Sequence, residues 1–187
     1  MVAFASPSET VLKQFTGGVL WVGLLMASTR SLDQSYQVEF EHGAMEGLLL
    51  WPVDPVAIYY GKAIANTLIL ITVALFLLPL LIAIYDSPVQ GELSNLLAAV
   101  VLGSAAIAAP GTLYGLITAQ ARGSSVLLPL LLFPLVVPAV LAASKLSTLA
   151  FETDPMSQSM SWIKVLVAYN ALHWTISGLL YGKILED

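Results

Sequence analysis

Few side chains in this sequence could do chemistry, and their spacing argues against most kinds. His42 and His173 stand far apart, and neither has a second His or a carboxylate at metal-ligand spacing within an apolar run, so a resident metal site is poorly supported. The chain has no cysteine, which removes disulfides, thiolate ligands and redox chemistry on sulfur. Gly61-Lys62 follows aromatic residues instead of a glycine-rich turn, and no G-x-x-x-x-G-K-[ST] occurs. Any ATP must therefore be hydrolysed by a partner. Gly123-Ser124-Ser125 together with His173 lacks the G-x-S-x-G elbow that would expose a nucleophilic serine. What remains is His173-Trp174 inside the last apolar stretch, where an ionisable ring is costly and would suit a planar cofactor; a lone His beside a Trp also serves as a hydrogen-bonded packing residue.

A second group of residues suits recognition better than catalysis. Between Arg30 and Val56, a helical wheel puts Tyr36, Phe40, Gly43, Ala44, Gly47 and Trp51 on one side and Glu39, Glu41, His42 and Glu46 mainly on others. Residues 31–52 therefore read as an amphipathic segment at the membrane surface, which Pro52 and Pro55 end. Such a segment can merely shield the spans. It can also dock a cytoplasmic partner, with Glu39, Glu41 and Glu46 offering carboxylates to that partner's Arg or Lys residues, beside Phe40, Gly43, Leu48 and Pro52.

The elements that must position these residues follow from composition. Of 187 residues, 58% are hydrophobic and 10% charged, with a formal net charge of −5; the mean hydropathy is +0.85. Too little polar surface exists for a soluble enzyme, and no basic stripe exists to neutralise nucleic-acid phosphates. A span needs about 20 mostly apolar residues. Five segments qualify: Phe15 to Thr29, Ala57 to Tyr85, Leu93 to Ala121, Val126 to Ala143 and Trp162 to Tyr181. The fold class is therefore all-α, a polytopic membrane helical bundle in one domain, with an interfacial cytoplasmic helix. Uniformly apolar spans exclude a β-barrel. Arg30, Lys62, Arg122 and Lys183 mark the cytoplasmic ends, Asp86 to Glu92 the outside, and Lys13 dissents.

Two features suggest how the spans pack and move. Pro129, Pro134 and Pro138 fall in one apolar run, so the fourth span is expected to kink or break, either as permanent packing or as a hinge. Gly111, Gly115, Gly178 and Gly182 form two G-x-x-x-G pairs, which suit intramolecular packing or a homodimer.

In this order, Glu41-x-Gly43-x-x-Glu46-x-Leu48-Leu49-Leu50-x-Pro52, Gly61-Lys62, Pro110-Gly111, Arg122-Gly123 and Leu127-Leu128-Pro129-Leu130-Leu131-Leu132-Phe133-Pro134 resemble the CcmB family, the heme exporter protein B family. The resemblance runs from about Phe15 to Gly182. It implies a multi-pass permease subunit of an ABC-type complex in the bacterial inner (cytoplasmic) membrane, acting in cytochrome c maturation, with no ATPase site of its own. It further implies a CcmA-like ABC ATPase, CcmC-like and CcmD-like membrane subunits and the periplasmic heme chaperone CcmE as partners. ATP would sit on the partner, heme would be handled by the complex, and Glu41, Gly43 and Glu46 would belong to the segment docking the ATPase. His173 and Trp174 would be candidate heme contacts. The family has six helices and a cytoplasmic amino end, whereas five spans are read here with that end outside; a further span upstream is the expectation. The rival readings are a permease of another ABC exporter, for lipid, polysaccharide or drug, and a membrane scaffold that transports nothing.

Overall fold

The computed structural model describes residues 9–41, 47, 53–85, 89–120, 127–152, 154 and 156–186, with the side chains of 9–15, 33, 35, 37, 40, 41, 185 and 186 outside the description. Among the described residues five long helices follow one another: α1 (Glu9–Glu41), α2 (Pro55–Tyr85), α3 (Leu93–Gln120), α4 (Leu127–Phe151) and α5 (Ser159–Glu186). No strand occurs among the described residues. Helices α2, α3 and α4 are each long and apolar enough to cross a membrane. Small and polar residues dilute the other two: Gly17, Gly18, Gly23 and Ser28 in α1, and Asn170, His173 and Thr175 in α5.

Local signals explain where helices begin. Asp54 caps α2, its Oδ1 accepting from the Val56 N–H at 2.8 Å, and Pro55 follows at the first helical position, where a missing N–H costs nothing. Asp154 does the same for α5: its Oδ2 accepts from the Ser159 N–H and its Oδ1 from the Gln158 N–H, both at 2.9 Å. Pro129 lies in the first turn of α4, where its ring displaces no helical hydrogen bond.

Three expectations are corrected. The fourth span neither breaks at Pro134 or Pro138 nor stops at Ala143; α4 is one helix through to Phe151. Alternating Leu and Val hold it against neighbours, with Leu128, Leu132, Val136 and Ala139 buried in succession. The first span is not short, because α1 runs unbroken past Thr29 to Glu41. Residues 31–41 therefore continue α1 and do not start a separate surface helix. Leu32 and Tyr36 are fully packed inside the bundle, and that burial draws the helix onward.

Helix α3 is the centre. Of its most apolar 18 residues 72% are buried, against 28% for α2 and 33% for α4. Small residues make this possible. The Trp21 ring lies directly over Gly103, leaving no room for a Cβ. Leu32 Cδ1 would stand 2.6 Å from a Cβ at Gly111, and Tyr36 Cδ2 would stand 2.7 Å from one at Gly115. Both series ascend together, so α1 and α3 run parallel. In contrast, Gly178 faces Tyr60 and Gly182 faces Val56, which makes α2 and α5 antiparallel. Consecutive helices thus alternate in direction, and the end of α1, the start of α2 and the end of α5 meet at one end, with Lys62 and Lys183. This is the end that the bias of basic residues leads one to expect on the cytoplasmic side. Outward faces are apolar, as lipid contact demands: Phe76 is 76% exposed and Leu130 66%, with Leu68, Ile84 and Leu179 beside them.

Replacing Gly103 by Ala should destabilise the protein by about 1–3 kcal/mol through overpacking against Trp21, and Trp21→Leu in the same chain should recover part of the loss. Thermal unfolding in detergent measures both; an unchanged midpoint for the single variant would rule out the close contact. A second expectation concerns Asp154. The Ser159 and Gln158 N–H groups hold its carboxyl below the usual carboxylate range. Its contribution is complete above the ordinary Asp value of about 3.9 and is lost as pH falls through the lower folded value. Amide exchange at Gln158 and Ser159 should accelerate in that acid window, and Asp154→Asn should flatten the dependence.

Candidate functional site

At the end that carries Lys62 and Lys183, the last turns of α1 meet the first turns of α2 and the last of α5. Tyr36 and Glu39 lie one turn apart on α1, so both reach the same neighbour. That neighbour is Lys62 of α2. Its Nζ pairs with the Glu39 carboxylate and sits 3.8 Å from the centroid of the Tyr36 ring. A cation held by both a carboxylate and a π face locks α1 to α2. Aromatic rings fill the space behind it. Tyr59 lies 5.5 Å from Tyr181 and 5.1 Å from Tyr60, and Tyr60 stacks on Trp174 at 6.0 Å.

Polar side chains then tie this end to the central helix. The Tyr59 hydroxyl donates to the Ala109 carbonyl at 3.2 Å, and Asn66 Nδ2 donates to Thr112 Oγ1 at 3.0 Å. From α5, Asn170 Nδ2 donates to the Leu102 carbonyl at 3.0 Å and Trp174 Nε1 to the Ala105 carbonyl at 3.3 Å. In hydrocarbon such bonds fix one helix against another because unpaired polar groups have no water to turn to. These donors converge on α3 around Pro110, whose ring takes away the donor that the Ala106 carbonyl would otherwise meet.

The residues singled out from sequence distribute as follows. Glu39 is engaged inside the chain by Lys62. The side chains of Phe40 and Glu41, and the whole of Gly43, Glu46, Leu48 and Pro52, lie outside the described residues. Gly111 and Gly115 receive Leu32 and Tyr36 of α1, and Gly178 receives the Tyr60 hydroxyl end, all within the one chain. His173 Nδ1 is 3.0 Å from the Tyr169 carbonyl, and its ring stacks on Tyr169 at 3.8 Å. One ring nitrogen is thus committed to the backbone, leaving Nε2 for any other ligand. Trp174 Nε1 is shared between Ala105 and Asn170 Oδ1, so its ring is held from both helices. Among the described residues, no three of His, Cys, Asp or Glu gather to hold a metal ion. Sequence reasoning missed the Lys62 clasp and the Asn66, Tyr59 and Asn170 cross-links. Asparagines inside apolar spans were the available signal, since an amide in lipid must find a partner.

Comparison with known proteins decides the lineage. The model of the CcmB protein family matches residues 1–183. The chain belongs to the CcmB family. It is 29% identical over 140 residues to heme exporter protein B of Rhodobacter capsulatus, covering 75% of this chain and 64% of that one. To the protein of the same name in Pseudomonas aeruginosa it is 25% identical over 162 residues, 87% of this chain and 72% of the relative. To that of Paracoccus denitrificans it is 29% identical over 175 residues, 89% and 76% respectively. The chain thus spans about two thirds to three quarters of these CcmB relatives' length.

If the Lys62 clasp joins α1 to α2, Lys62→Met and Glu39→Gln should each lower stability, and the double variant should lose less than the sum. The coupling should be about 1 kcal/mol. A double-mutant cycle in detergent unfolding reads this directly, and strict additivity would mean that the two side chains act independently.

Proposed function

We propose that this CcmB-family chain is the permease subunit of an ABC-type complex for heme export in cytochrome c maturation, embedded in the bacterial inner membrane. The family match over residues 1–183 carries this reading, and the relatives are named heme exporter protein B. The chain converts ATP-driven closure of a separate ATPase into movement of its helices. It breaks no bond itself; ATP stays on a CcmA-like subunit, and CcmC-like, CcmD-like and CcmE-like proteins complete the machinery that releases heme-loaded chaperone. Heme is cargo of the complex.

The geometry supports a lever. The docking segment, residues 31–52, continues past the end of α1 at Glu41, two residues beyond the Glu39 and Lys62 pair. A push delivered there enters α1, which is already bonded to α2 by the clasp and seated along the glycine face of α3. Glu41, Gly43 and Glu46 are the residues proposed to meet the ATPase; Glu39 supports them from within. Such a path needs no buried charge in the spans. It needs rigid helices in close contact, and those are present.

Replacing Glu41 and Glu46 together by Lys should reverse the charge offered to the ATPase. Co-purification of that subunit should fall by at least about tenfold, as expected for loss of charge-assisted contacts, and covalent heme attachment to c-type cytochromes should fall with it in a strain relying on this chain. Full retention of ATPase binding and turnover would remove the docking role. Unchanged cytochrome c maturation after deletion of the chain would remove the heme-export reading itself.

A further inference from the structure

Away from the clasp, at the opposite end of the bundle, α4 and α5 enclose a polar cavity of about 230 Å³ lined by Ser144, Lys145, Thr148, Glu152, Gln158 and Trp162. Its walls are built closely. On one side Gly17 of α1 lies against α4, where an added Cβ would stand 3.0 Å from the Ser144 carbonyl and from Thr148 Oγ1. Below, the Gly91 N–H donates to the Ala150 carbonyl at 3.0 Å, and a Cβ there would meet the Leu149 and Glu152 carbonyls at 2.6 Å.

Among the described residues, the charges in this cavity are unspent. Glu152 Oε1 is fully enclosed and has no hydrogen-bond partner. Lys145 is exposed, and among the described residues the one ion pair is between Lys62 and Glu39. Seven residues on one helix put Lys145 and Glu152 about 10 Å apart along the axis, on the same face but too far to satisfy each other. An enclosed carboxylate oxygen needs a donor, and the cost of leaving it without one is large. The cavity therefore calls for a ligand with a donor-bearing cation at one end and an anion at the other. Its volume lies below the roughly 300–1,000 Å³ of sites for drug-sized ligands, which suits a headgroup and excludes a porphyrin.

Position supplies the source. About 20 residues of α4 from Leu127 span the hydrocarbon, so Lys145 to Glu152 lie at headgroup depth, where Trp162 belongs to the interfacial aromatic belt. We propose that this cavity binds the zwitterionic headgroup of phosphatidylethanolamine from the adjoining leaflet, with the ammonium donating to Glu152 and the phosphate accepting from Lys145. A trimethylammonium group has no N–H to give Glu152, which disfavours phosphatidylcholine. A purely anionic lipid would satisfy Lys145 and place a second negative charge near Glu152. Thr148 Oγ1 donates to the Ser144 carbonyl, so its remaining capacity is as an acceptor for the ammonium.

The test is competition on the unmodified full chain. Purified protein in vesicles of equal phosphatidylethanolamine, phosphatidylcholine and phosphatidylglycerol is analysed by native mass spectrometry for retained lipid. Phosphatidylethanolamine should be retained about tenfold over phosphatidylcholine, the scale of a lost charge-assisted hydrogen bond. Glu152→Gln and Lys145→Gln should each reduce that preference severalfold, and in phosphatidylcholine alone Glu152→Gln should not lower the midpoint of unfolding, because it removes a carboxylate that no donor satisfies there. Equal retention of the two zwitterionic lipids would overturn the proposal, as would preference for phosphatidylglycerol, which would indicate an anion site at Lys145. Soluble phosphoethanolamine binding as tightly as the lipid would assign the cavity to a free solute instead.

Discussion

The fold depends on how closely α1 can approach α3. In lipid no hydrophobic gain accompanies helix association, so helices hold together where small residues let backbones and rings come into contact and where polar groups pair. Gly103, Gly111 and Gly115 provide that contact, and Trp21, Leu32 and Tyr36 fill it. A side chain at any of the three positions would push α1 outward. The loss would spread, because Trp21 Nε1 also donates to Ser147 Oγ of α4 at 3.0 Å, and Tyr36 is the platform for Lys62. One face of small residues thus sets the position of three neighbouring helices.

That arrangement gives the two ends of the bundle a mechanical relation. Helix α1 touches the Lys62 clasp at its last turns and the Ser144 to Thr148 stretch of α4 near its first. A rigid helix in contact at both ends cannot shift at one without pressing on the other. In the proposed role, motion imposed beside Glu41 reaches the polar cavity beside Glu152 through α1 itself, and the cross-links from Asn170 and Trp174 carry α5 along with α3. No chain of titratable groups through the spans is required.

Much of this was legible in the residues. Uniform apolar runs marked five helices, and the second and third spans match α2 and α3 closely because Asp54-Pro55 and the Gly91-Glu92 turn punctuate them. Boundaries failed where burial overrode polarity. Residues 31–41 read as the start of a surface helix, yet Leu32 and Tyr36 are buried in the bundle and α1 continues about three further turns through them. Ser144 and Lys145 read as the end of a span, yet Leu146, Ala150 and Phe151 pack inside and carry α4 past them. That Glu39 turns inward to Lys62 was not legible, since a pair 23 residues apart depends on tertiary contact.

The proline run shows why local rules alone mislead in a membrane. Three prolines within ten residues would end a helix in water, where freed carbonyls are hydrated and the chain can turn away. In hydrocarbon, leaving the helix would strip every backbone group of its partner, a cost greater than the two bonds lost at Pro134 and Pro138. The helix therefore persists, and a neighbour braces it beside the prolines: the Tyr169 hydroxyl of α5 donates to the Leu135 carbonyl at 3.1 Å. The same Tyr169 supports the His173 ring. Removing the phenol oxygen in Tyr169→Phe should loosen α4 at its weakest point while leaving the stacking intact, so faster amide exchange confined to residues 130–140 would separate the hydrogen bond's role from that of the ring. Exchange spread evenly over α4 and α5 would instead mean that the ring contact alone holds the two helices.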